Sequence, residues 1–79
     1  MIHVKLTIGK NVYEAEGENM LDVLKQIKPT SYVGMGRVEA SMDGKTSRLP
    51  LRLVPLRMKR LFEKPLEMEL IAKRLQTLL

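Results

Sequence analysis

The chain has 79 residues with 44% apolar and 29% charged side chains, a formal net charge of +5 and no cysteine. That length suits one domain, 1–79, burying about 60–65% of the surface its unfolded form exposes, so its stability margin is thin. Composition excludes a disulfide framework, a thiolate metal site and a disordered chain, and the longest apolar run, Leu53-Val54-Pro55-Leu56, is far too short to span a bilayer.

In chain order, Ile2, Val4, Leu6 and Ile8 alternate with His3, Lys5 and Thr7, which predicts a strand with its aliphatic face inward. Gly9-Lys10-Asn11 is turn chemistry, and residues 12–16 form the return strand. Asn19 is placed to cap a helix over 19–28. Met20, Val23, Leu24 and Ile27 form its apolar face, and Pro29 forbids its continuation. A loop with two glycines follows over 29–36.

Val38, Ala40 and Met42 alternate with polar neighbours, Asp43-Gly44 is a strong hairpin turn, and Leu49, Leu51 and Leu53 alternate again. The second hairpin is thus expected over 37–42 and 46–53, with the Pro50 strand at a sheet edge. Pro55 and Pro65 suit the first positions of two helices, over 55–63 and 65–78. The predicted fold class is α+β, in the order ββαββαα, with two antiparallel hairpins in one small sheet and helices on one face. The opening order resembles that of β-grasp folds without any motif of theirs.

Motifs for catalysis are missing. His3 is the only histidine and sits on the predicted outer face of the first strand, so acid–base chemistry, nucleophilic triads and zinc binding lack their parts. Glu14, Glu16 and Glu18 read as a solvated side. Gly34-Met35-Gly36 fails the dinucleotide fingerprint and Gly44-Lys45-Thr46 fails the phosphate loop, because Glu39 stands where each needs a glycine. No enzyme activity, cofactor or metal is expected. Lys59-Arg60-Leu61-Phe62 fits a short docking pattern, but core packing accounts better for Leu61 and Phe62. Tyr32 and Met35, in a glycine-flanked loop, are either a recognition tip or fold back on the core.

The charge is segregated. Between residues 44 and 64, Lys45, Arg48, Arg52, Arg57, Lys59, Arg60 and Lys64 face the single acid Glu63. Arg57, Arg60 and Lys64 fall at i, i+3 and i+7, a stripe that Lys59 leaves. Guanidinium rows suit phosphate, so the first expectation is a non-enzymatic protein contacting nucleic-acid backbone through Lys45, Arg48, Arg52, Arg57, Arg60 and Lys64, with Arg48, Arg52, Arg57, Arg60 and Lys64 forming one exposed region. With three aromatics in the chain, binding should be backbone-led and salt-sensitive, without base stacking or single-strand specificity. An acidic protein surface is the other partner such a region suits.

The alternative is a protein-interaction module. Thirteen leucines and six methionines exceed what so small a fold easily covers, and the last helix is apolar over a wide arc. Leu70, Leu78 and Leu79 would form that interface, with a partner or a second copy of the chain. By analogy, such a module suits a mobile-element or viral accessory factor that modulates a larger protein. The opening Met1–Lys5 has no secretory n-region, and no membrane partner is expected, so a cytoplasmic location follows as the expectation.

Overall fold

A computed structural model describes residues 1–48 and 54–79. The order is β1 (Ile2–Ile8), β2 (Asn11–Gly17), α1 (Met20–Gln26), β3 (Gly36–Met42), β4 (Lys45–Arg48), α2 (Pro55–Glu63) and α3 (Pro65–Leu78). The four strands form one antiparallel sheet in the order β2-β1-β3-β4, so the expected α+β class and ββαββαα order hold.

Side-chain alternation places the core. Ile2, Val4, Leu6 and Ile8 of β1 and Val38 and Ala40 of β3 are buried on one sheet face, and Ser47 of β4 joins them. The helices cover this face: α1 lies against β1 and β2, α3 against α1 and β4, and α2 against α3. Met20, Val23, Leu24, Met58, Leu61, Met68, Ala72 and Leu75 complete the core. The opposite face carries His3, Lys5, Thr7, Arg37 and Glu39 and, among the described residues, no helix.

Both hairpins close by the turn chemistry their residues dictate. Ile8 pairs with Asn11, so Gly9-Lys10 is the two-residue connection, with Gly9 at φ +58° supplying the positive φ of a type II′ turn. Asp43 and Gly44 both have positive φ, 50° and 80°, as a type I′ turn needs. Strand β2 therefore starts one residue earlier and ends one later than expected.

Helix α1 is shorter than the 19–28 prediction. Its start is as read: Asn19 Oδ1 accepts from the backbone N–H of Leu21 at 2.9 Å and of Asp22 at 3.3 Å. Its end comes at Gln26, because Ile27 turns extended (φ −80°, ψ 122°) while keeping its side chain in the core. Asn19→Ala should cost about 1 kcal/mol, since two first-turn donors lose their acceptor; urea denaturation checks this.

Helices α2 and α3 are separated by Lys64 alone. Its N–H donates to the Arg60 carbonyl at 2.9 Å, closing α2, and its carbonyl accepts from Met68 N–H at 3.2 Å, opening α3. A residue before proline is pushed out of the α region, and Lys64 sits at φ −113°, ψ 113°. Among the described residues strand β4 lies at the edge of the sheet. Pro50 itself, the predicted burial of Leu49, Leu51 and Leu53, and the predicted outward Arg52 lie outside the described residues.

Candidate nucleic-acid interface

The nine residues of α2 run Pro55-Leu56-Arg57-Met58-Lys59-Arg60-Leu61-Phe62-Glu63. Met58 and Leu61 are buried, and this orients the helix. Arg57, Lys59 and Arg60 are consequently exposed, as is Lys64 at the joint. The docking-motif residue Leu61 belongs to the core, and Phe62 packs partly buried against it.

The lone acid of the segment does not face the predicted stripe. Glu63 Oε1 lies 4.0 Å from Lys59 Nζ, one helical turn away. Arg57, Arg60 and Lys64 have no carboxylate within 4.0 Å among the described residues. Their charge is therefore unneutralised locally and directed at solvent.

Arg48 stands elsewhere. It is exposed on β4, opposite Glu39 of β3, and its Nε lies 3.4 Å from Glu39 Oε1. It thus belongs to the sheet, on the face away from the helices, with an acid beside it, whereas the α2 cations belong to the helix layer. The register extends this pairing into a row across all four strands, Glu14–Lys5–Glu39–Arg48, in which sign alternates. Lys45 is exposed at the start of β4. On the same outer face His3 Nε2 is 3.3 Å from Glu14 Oε1, a half-exposed contact with a single carboxylate.

Of the predicted apolar interface on α3, Leu70 and Leu78 are exposed, together with Leu66, while Leu79 is half-buried against the core. The wide apolar arc of α3 is therefore only partly closed within the fold.

The loop between α1 and β3 is held at both ends. Tyr13 Oη accepts from Thr30 N–H at 3.2 Å and shares a hydrogen bond with Thr30 Oγ1 at 3.1 Å; the Thr30 hydroxyl holds the Tyr13 phenol below its usual pKa. Gly9 N–H donates to the Met35 carbonyl at 3.1 Å. Tyr32 folds back partly buried, whereas Met35 is 42% exposed.

Sequence reasoning missed the place where this loop meets the helices. A cavity of ≈ 420 Å³ opens between the end of α1, the loop and the α2–α3 joint. Its walls include Lys25, Lys28, Tyr32, Phe62, Glu63 and Met68. Burial, and then the Glu63 carboxylate, push the Tyr32 phenol above its usual pKa. No local pattern signals this cavity, because its walls come from segments about 30 residues apart in the chain.

Ser47 was missed as well. It is the one buried polar residue among those described, and its hydroxyl donates to the Leu75 carbonyl at 3.4 Å. That carbonyl lies in the last turn of α3, where the helix itself leaves acceptors unpaired, so the bond ties α3 to the edge strand.

Compared with protein-family models, curated proteins and solved structures, the chain matches none. Among the described residues no helix is long and apolar enough to cross a membrane.

Proposed function

We propose that this chain is a non-enzymatic binding protein that grips the phosphate backbone of nucleic acid through its 45–64 segment. The observation that supports this reading is the exposed row Arg57, Arg60 and Lys64, free of carboxylates within 4.0 Å among the described residues. Guanidinium forks match phosphate oxygens in pairs, and a locally unneutralised row releases condensed counterions when it replaces them on the strand. Lys45 and Arg52 extend the same segment in sequence, whereas Arg48 lies on the outer sheet face beside Glu39, apart from this row.

The test is binding of a labelled duplex measured against salt. The double reversal Arg57→Glu/Arg60→Glu should weaken binding at least tenfold near 0.1 M salt. It should also flatten the log–log salt slope by about 1.8, two phosphate contacts' worth. Both side chains are exposed, so the melting temperature should stay close to that of the parent. Unchanged affinity and slope would overturn the proposal.

A protein-interaction module is the second reading, favoured by the exposed Leu66, Leu70 and Leu78 of α3. Recovery of the tagged chain from cell extract with and without nuclease separates the two. A defined protein partner that survives nuclease and is lost with Leu70→Ser/Leu78→Ser favours this second reading.

A further inference from the structure

The cavity beside α2 is lined by aromatic, cationic and carboxylate groups, and the inference drawn from it rests on the nucleic-acid reading above. It lies where helical backbone stops: Ile27 leaves α1 in an extended conformation, Lys64 is extended between α2 and α3, and Ile27, Pro29 and Pro65 are among the lining residues. Two of the chain's three aromatic rings, Tyr32 and Phe62, line it. Both are only partly buried and so retain exposed surface. Lys25 and Lys28, both exposed, also line it, and Glu63 adds a carboxylate. Its volume of ≈ 420 Å³ lies within the roughly 300–1,000 Å³ of small-ligand sites.

Each wall answers one part of a nucleotide. Aromatic faces stack on an unpaired base whatever its identity. A carboxylate accepts hydrogen bonds from the exocyclic amine of cytosine, which thymine lacks. Lysines neutralise flanking phosphates as point charges. An acidic peptide would satisfy the lysines but would bring its carboxylates towards Glu63, whereas a base turns an amine to it. We propose that this cavity seats one unstacked base of single-stranded nucleic acid, with the neighbouring phosphates on Lys25 and Lys28. This proposal departs from the expectation of binding without stacking, because two of the few aromatics share one site.

Fluorescence anisotropy with labelled oligo-dC and oligo-dT, each roughly 12 nucleotides long, and with a duplex of the same length tests this at neutral pH. Oligo-dC should bind about tenfold tighter than the duplex and more tightly than oligo-dT, and Glu63→Gln should narrow the dC–dT difference. Tyr32→Leu should weaken single-strand binding about tenfold and leave duplex binding unchanged. Lys25→Ala/Lys28→Ala should flatten the single-strand salt slope by about 1.4. Phe62→Leu repeats the stacking test while keeping an apolar side chain in place. Should it unfold the chain, Tyr32→Leu and the exposed lysine pair decide.

Equal affinity for strand and duplex, with Tyr32→Leu silent, would overturn this inference. In that event a loss on Arg57→Glu/Arg60→Glu would still leave the backbone reading standing. A poly-glutamate peptide that displaces oligo-dC and is itself weakened by Tyr32→Leu would assign the cavity to acidic peptide and overturn the proposal.

Discussion

Leu6→Ala is expected to lower the unfolding free energy by about 2–5 kcal/mol. Leu6 is fully buried in β1, a central strand, between Tyr13 of β2 and Val38 of β3 on the covered face of the sheet. Hydrogen-bonded strands on both sides cannot close in on the space left by the missing atoms, so a cavity penalty adds to the lost transfer energy. A chain of this length holds only about 4–12 kcal/mol in all, so the variant should unfold at no more than about five-sixths of the parent's urea midpoint or fail to fold. Leu66→Ala is the control. Leu66 is 75% exposed, and its removal should change stability by no more than about 0.5 kcal/mol. A loss below 1 kcal/mol at Leu6 would mean that β1 does not carry the core.

Gly34→Ala is expected to cost about 3 kcal/mol, a melting shift above ten degrees for so small a chain. Two penalties combine. Gly34 has φ +106°, a conformation that side chains rarely adopt, and an added Cβ would lie 2.8 Å from the Gly9 Cα. The reverse contact is equally close, since a Cβ on Gly9 would come within 2.7 Å of the Val33 carbonyl oxygen. Here the first hairpin turn presses backbone to backbone on the loop after α1, and neither side has a flexible end that can yield. Gly44 isolates the first penalty. It too has positive φ, +80°, but nothing lies within 4 Å of its Cβ position. Gly44→Ala should therefore cost only about 1 kcal/mol, and the difference between the two variants measures the Gly9–Gly34 contact. Equal losses at both positions would remove that contact from the account.

What the sequence determined on its own was everything governed by near neighbours. The period of two in β1 and β3 decides which side chains share a face, because successive residues of a strand must point to opposite sides. Asp43-Gly44 specifies its turn because both positions need positive φ. Asn19, Pro55 and Pro65 mark helix starts through one side-chain acceptor and two missing N–H groups, and Pro65 shapes the joint at Lys64 through a local clash. The cations of α2 were also legible, since a helix that buries Met58 and Leu61 must turn Arg57 and Arg60 outward.

Tertiary structure alone decided which of these pieces meet. Periodicity assigns a residue to a face but does not choose which strands of two hairpins meet, so the β1–β3 pairing, and with it the order β2-β1-β3-β4, came only with the assembled sheet. Gly34 looked like part of a failed nucleotide motif until its contact with Gly9 explained it. Ser47 looked like an ordinary strand residue until α3 brought the Leu75 carbonyl to it. Tyr32 and Phe62, 30 positions apart, became walls of one cavity because packing closes distances that a local pattern does not encode. The physical reason is the same throughout. Steric and periodic rules act within a few residues, while hydrophobic burial is non-directional and selects among long-range arrangements only when the whole core closes.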